Sequence, residues 1–267
     1  MAGENIRGRF VWHELMTTDP EAAKAFYTAV IGWGTKPFEG SGQPYTIWTW
    51  GDSQMGGLME LPKAARDMGA RPNWLAYIGT PDVDATTARA RELGATIARP
   101  PADIPTVGRF SVVQDPQGAS FAPFTPASPA DGPRPETAPG LGDFSWHELA
   151  TTDQKAAWDF YSGLFGWESP PEWSMDMGPD GVYQMYGRNG LMYGGIYNKR
   201  KEAPGPPAWL HYIRVEDVHR TAEKVKQHGG QIVNGPMEVP GGDMVAMGID
   251  PQGAPFAIHH KAAAAKP

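Results

Sequence analysis

Two carboxylates stand out as groups that could do chemistry. Glu14 lies in Phe10-Val-Trp-His-Glu-Leu-Met16, and Glu148 in Phe144-Ser-Trp-His-Glu-Leu-Ala150. Alternate residues of an extended strand share a face. Phe10, Trp12, Glu14 and Met16 therefore share one face, and Val11, His13 and Leu15 the other; Trp146, Glu148 and Ala150 repeat the first set, and His147 the second. A carboxylate shielded from water among aromatic rings has a raised pKa, which suits a general base. It can equally hold a cationic or hydroxyl-bearing ligand, or serve as a structural acceptor for a backbone N–H, a Tyr or an Arg. The adjacent histidines invite a metal reading. Neighbouring strand residues point to opposite faces, however, so the His and Glu of one pair cannot reach the same ion. His13 and His147 are read as hydrogen-bonded core residues; a register shifted by one residue would exchange the two roles.

The elements that must position these residues occur twice. Strand, Thr-Thr-Asp, a helix containing Phe-Tyr, and Gly-Trp run from Phe10 to Trp33 and again from Phe144 to Trp167, with Trp12/Trp146, Asp19/Asp153 and Gly32/Gly166 all 134 residues apart. Asp115-Pro-Gln-Gly-Ala returns as Asp250-Pro-Gln-Gly-Ala, 135 residues on. The chain is a tandem duplication. Asp19 is a good N-cap, Pro20 fits the first helical position and Gly32 ends the helix. Short strand-like runs follow at Thr35–Phe38, Tyr45–Trp50 and Gln54–Leu61, then a charged connector over 63–72. A second strand, Trp74–Gly79, leads to a helix over Val83–Leu93 and three more strands, Thr96–Arg99, Arg109–Gln114 and Ser120–Phe124, the last two joined by the Asp115-Pro-Gln-Gly118 turn. Half one thus reads βαβββ twice, and half two repeats it.

Residues 127–141 are a Pro-rich linker between domains at 8–126 and 142–260; residues 1–8 read as an arm and 261–267 as a tail. Half two carries extra residues over 169–204, including Lys199-Arg200-Lys201, read as a solvated loop. Gly56-Gly57 and Gly194-Gly195 fall inside strands, which marks a bulge or a close backbone approach.

Composition narrows the function. A net charge of −7 argues against a general nucleic-acid or anionic-membrane surface. With no cysteine, disulfides, zinc-thiolate sites and cysteine nucleophiles are excluded, and a cytoplasmic location is expected. No apolar run is long enough to span a bilayer.

Four βαβββ modules, strand–Thr-Thr-Asp–helix ending in Phe-Tyr and Gly-Trp, and the Asp-Pro-x-Gly turn resemble the vicinal oxygen chelate superfamily, the group of glyoxalase I, extradiol dioxygenases and the bleomycin- and fosfomycin-resistance proteins. The paired halves look most like tandem glyoxalase-related proteins of actinobacteria. The resemblance implies an α+β fold: two glyoxalase-like domains with cupped mixed sheets, helices outside and a cavity within. If each cavity is built within one half, Trp12, Glu14 and Tyr77 would face one, and Trp146, Glu148, Tyr212, Arg214 and His259 the other; the fold equally allows cavities between modules of opposite halves, and the long linker permits either. Arg214 is read as a partner for Glu148 or for an anionic ligand; its counterpart is Gly79, and that of His259 is Phe124.

Metal-using members of that superfamily place ligands at slots occupied here by Trp12 and Trp146, Leu75 and Leu210, and Ala122 and Ala257. None offers a donor atom, so no superfamily metal site and no cofactor are expected. The resulting expectation is a small-molecule binding protein with aromatic-lined cavities, monomeric or homodimeric. The alternative is a lyase or isomerase using Glu14 or Glu148 as general base, with Trp12, Tyr77, Trp146, Tyr212, Arg214 and His259 around the ligand.

Overall fold

The computed structural model describes residues 6–40, 42–128, 138–203 and 205–262. Most of the expected linker (129–137) and tail (263–267) lie outside these residues. The four modules are present. The first is β1 (Phe10–Thr17), α1 (Pro20–Val30), β2 (Gly34–Pro37), β3 (Thr46–Trp50) and β4 (Ser53–Glu60). After a short helix α2 (Lys63–Asp67), the second is β5 (Asn73–Gly79), α3 (Val83–Glu92), β6 (Thr96–Ile104), β7 (Gly108–Gln114) and β8 (Ser120–Pro126). The third is β9 (Phe144–Thr151), α4 (Gln154–Phe165), β10 (Ser174–Asp176), β11 (Val182–Arg188) and β12 (Leu191–Asn198); the fourth is β13 (Ala208–Arg214), α5 (Val218–Gln227), β14 (Gln231–Glu238), β15 (Met244–Ile249) and β16 (Pro255–His260).

Each half builds one eight-stranded mixed sheet, in the order β2-β3-β4-β1-β5-β8-β7-β6 and its repeat β10-β11-β12-β9-β13-β16-β15-β14. The parallel pairs β1–β4, β5–β8, β9–β12 and β13–β16 follow from the helical or long connections inside each module. All four long helices start from an aspartate whose side chain accepts from the backbone N–H three residues on: Asp19 from Ala22, Asp82 from Ala85, Asp153 from Ala156 and Asp217 from Arg220.

Three strands differ from the sequence reading. β6 runs on through Pro100-Pro101, which an edge strand tolerates because one side of it needs no ladder donors, and its register shifts there. β14, whose alternation is broken by Asn234-Gly235-Pro236, pairs with β15. β10 lies within the extra residues of half two, and α2 within the expected connector.

The compact units do not coincide with the halves. One gathers residues up to His13, the stretch from Leu75 through β8, and Trp146–Trp209; the other gathers Glu14–Trp74, the stretch through Ser145, and residues from Leu210 on. The division falls inside β1, β5, β9 and β13. The first unit's core joins Ile78, Val113 and Phe121 from half one to Tyr161, Phe165 and Trp167 from half two. The second unit's core joins Phe26, Tyr27 and Trp33 to Val218, Val225 and Phe256.

Polar bonds inside each unit tie the same pairs together. Tyr161 donates to Asp115 (3.0 Å), and Tyr27 to Asp250 (3.2 Å). The other oxygen of Asp115 accepts the N–H groups of Gln117, Gly118 and Ala119, which fixes the Asp-Pro-Gln-Gly turn. Trp209 and Trp74 donate in turn to the two tyrosine oxygens. The indole of Trp167 donates to the Gly8 carbonyl (2.8 Å), and that of Trp33 to Gly142 (3.0 Å). Ile6–Gly8 are therefore no loose arm: Ile6 is buried, and Gly79 carries no Cβ where the Ile6 carbonyl comes close.

Candidate functional site

Glu148 is the best-defined of the two carboxylates. It lies on β9 opposite Gly195 of β12 and is 7% exposed. The Tyr183 ring lies where a Cβ of residue 195 would be, so only glycine admits it. That approach lets the Tyr183 hydroxyl donate to Glu148 Oε2 (2.9 Å) while accepting from Trp146 Nε1 (2.7 Å). Trp146 and Tyr183 are half-buried. Tyr183 stacks on Tyr197 at 5.9 Å. Burial, and then the charge of Glu148, hold the Tyr186 and Tyr197 hydroxyls above their ordinary pKa.

The first half repeats the frame. Glu14, also 7% exposed, lies opposite Gly57, and a Cβ there would meet the Tyr45 ring. Tyr45/Tyr183 and Gly57/Gly195 share an offset of 138 residues. The Gly-Gly pairs were legible as close approaches; the tyrosine that comes close sits twelve residues upstream, across a hairpin, and nothing local in the sequence points to it.

The remaining expected ligand contacts scatter. Trp12 is half-buried. Tyr77 is buried against Phe110 and Phe124. The backbone carbonyl of buried Tyr212 accepts from Ser145, and Arg214 donates to the Pro139 carbonyl. His259 bridges Ser145 and Asp243. Two clefts, of about 390 and 310 Å3, are lined by neither Glu14 nor Glu148; Arg109 lines the first, and Trp50, Arg214 and Arg220 the second.

The superfamily's ligand slots hold Trp, Leu and Ala side chains, with Leu75, Ala122 and Ala257 buried, so its divalent ion does not fit them. The histidines read as core residues are indeed buried, and they form a donor set that the sequence reading did not assemble. His13 Nε2 lies 3.4 Å from His147 Nδ1, and Phe10 stacks on His147 at 3.7 Å. Burial lowers the pKa of His211 to about 3, which keeps its ring neutral. One ring nitrogen from each of His13, His147 and His211 lies within 4.8 Å of the other two. The expected absence of any metal site is therefore not upheld, although the family's own slots are apolar.

Residues 9–122 and 143–258 both match the profile of the Glyoxalase/Bleomycin resistance protein/Dioxygenase superfamily. The chain belongs to this superfamily. Among curated members, "Putative glyoxylase CFP32" of Mycobacterium tuberculosis (strain CDC 1551 / Oshkosh) is 43% identical over 124 residues, 46% of each chain, so that match spans about half the length of either protein. "Anthracycline biosynthesis protein DnrV" of Streptomyces peucetius is 26% identical over 94% of this chain and 92% of its own. Solved superfamily structures share the fold. The Mn(II)-bound glyoxalase from Novosphingobium aromaticivorans has a TM-score of 0.63 at 18% identity, covering 96% of this chain and 82% of that one. The 2,3-dioxygenase LapB from Pseudomonas sp. KL28 has a TM-score of 0.64 at 12% identity, covering 98% and 96%.

Proposed function

We propose that this superfamily member binds a small, flat, hydroxyl-bearing or cationic molecule at the Trp146–Tyr183–Glu148 group without the superfamily's metal. The observation that carries the reading is the buried Glu148, held by Tyr183, which is itself held by Trp146. A carboxylate oriented by neighbouring donors can accept from a ligand hydroxyl or hold a cation, and the half-buried rings supply a flat apolar wall. The likeness to a protein named for anthracycline biosynthesis agrees with a flat aromatic ligand. Glu14, opposite Gly57 where the Tyr45 ring comes close, is the corresponding carboxylate of half one. Tyr212, Arg214 and His259, on the half-two strands β13 and β16, are not part of this group.

A second reading makes Glu148, or Glu14, the general base of a lyase or isomerase. The buried position of the carboxylate beside a tyrosine hydroxyl favours it, since a base shielded from water removes a proton from a bound carbon acid more readily. In either reading the protein acts as a monomer or homodimer in the cytoplasm, and neither nucleic acid nor membrane is the partner. No helix among the described residues is long and apolar enough to cross a membrane.

The test is calorimetric titration of the protein with a panel of flat polyhydroxylated aromatics, alongside product analysis of the same mixtures. Stoichiometric binding without turnover, weakened about tenfold or more in Glu148→Gln, is expected; a charged hydrogen bond contributes roughly 1.5–3 kcal/mol. Turnover abolished by Glu148→Gln would install the second reading. Binding unaffected by Glu148→Gln and Tyr183→Phe together would discard both.

A further inference from the structure

The second half holds a polar trio that the first half lacks. The Ser145 hydroxyl lies 2.8 Å from His259 Nδ1, and His259 Nε2 lies 2.9 Å from Asp243 Oδ2. At the corresponding positions half one has Val11, Phe124 and Gly108, and the Phe124 ring lies against Gly108. The fold therefore closes at this place without any polar group.

We propose that Ser145, His259 and Asp243 are a nucleophile, base and positioning acid that transfer an acyl group from a small uncharged ester to water. The activity is separate from the Glu148 site and does not rest on it. The argument is one of tautomer and reach. Asp243 on Nε2 keeps the proton on that nitrogen and leaves Nδ1 as an acceptor. The Ser145 hydroxyl then points its proton at Nδ1, the nearer of its two acceptors; the Tyr212 carbonyl is 3.2 Å away. Asp243 is itself fixed by the Ala262 N–H (2.8 Å) through its other oxygen. This is a nucleophile within hydrogen-bond reach of a base that a third group orients. Solvent reaches the trio: the His259 and Asp243 side chains are 14% and 29% exposed, and Ser145 is half-buried.

The chemistry balances. Ser145 Oγ adds to the ester carbonyl as its proton passes to His259 Nδ1. The carbonyl carbon's bond to the alkoxide oxygen breaks, and His259 returns the proton to that oxygen as alcohol. Water, losing a proton to His259, then adds to the acyl carbon, the bond to Ser145 Oγ breaks, and the serine recovers its proton as the carboxylic acid leaves.

The experiment treats the full-length protein with a fluorophosphonate probe and, separately, with p-nitrophenyl acetate. One covalent equivalent mapped to Ser145 by peptide mass spectrometry, and release of p-nitrophenol, are expected. Ser145→Ala abolishes the adduct, and His259→Gln slows labelling about a hundredfold, as loss of a general base does. Asp243→Asn slows it less, and Asp243→Glu restores part of the rate, which a merely structural role for Asp243 would not produce at unchanged melting temperature. No adduct on wild-type protein that melts cooperatively overturns the proposal, and so does equal labelling of wild type and a folded His259→Gln.

Discussion

The two halves of this chain agree in the residues that hold the fold together and in the frame around their buried glutamates, and they part company at Ser145, His259, Asp243 and Arg214. Asp19 and Asp153 cap helices in the same way. Tyr27 and Tyr161 reach equivalent turn aspartates, and Trp33 and Trp167 equivalent glycine carbonyls. Tyr45 and Tyr183 both lie over a strand glycine beside a buried glutamate. Yet Ser145, His259 and Asp243 have no polar counterparts, and Arg214 answers to Gly79. Buried polar groups must be satisfied in each copy, so duplicated bonds are held in both. An exposed or rim position carries no such demand. The asymmetric set is accordingly where chemistry performed by one half alone is best sought, and half two carries it.

The largest way to break this comparison is to separate the halves. Each core draws on both, so fragments 1–128 and 138–267 expressed alone each expose one side of two cores. Each fragment is expected to aggregate or to self-associate, with α4 of fragment 138–267, for example, seeking the place that α5 and β16, the repeats of α3 and β8, offer in a second copy. Mixing the two should restore a cooperative melt. A fragment that stays monomeric in analytical ultracentrifugation and melts cooperatively would show that the crosswise cores are dispensable.

A smaller effect sharpens the comparison at the two glutamates. Gly57→Ala and Gly195→Ala place a methyl group inside the Tyr45 and Tyr183 rings. Overpacking of this kind costs roughly 1–3 kcal/mol in urea unfolding. Gly163→Ala, in the last turn of α4 with nothing near its Cβ, should instead stabilise by about 0.5 kcal/mol. Near-neutral Gly195→Ala would mean that Tyr183 leaves Glu148 without cost. These positions also show where sequence reasoning stops. Helix caps, the Asp-Pro-Gln-Gly turn and the strand alternation that separates Glu148 from His147 are local, and local rules found them. The bonds Tyr161–Asp115 and Trp167–Gly8 join residues 46 and 159 positions apart, and no spacing rule selects those partners. The polar trio was half visible: His259 drew notice, but Ser145 and Asp243 are ordinary residues until β9 and the entry to β15 bring them to its ring on β16.

The turn aspartates give the smallest predicted effect, and its sign can be worked out. Burial raises the pKa of both Asp115 and Asp250 above the ordinary 3.8, against the lowering pull of their hydrogen bonds. A group that binds its proton more tightly in the folded state adds stability that is fully present below the unfolded pKa and is lost as pH rises through the folded one. In Asp115→Asn with Asp250→Asn the amide oxygen can still accept the turn's N–H groups, but no proton binds. Compared with this double variant, the wild type should therefore gain stability as pH falls from neutral toward about 4, where an aspartate in the unfolded chain takes up its proton. Urea midpoints measured in steps of pH read the difference directly. If the wild type instead loses ground to the variant on acidification, the bonds from the N–H groups and from Tyr161 and Tyr27 outweigh burial. The two turns would then act as charged clamps, and each half would be fastened to the other's turn through an ionised carboxylate rather than a protonated one.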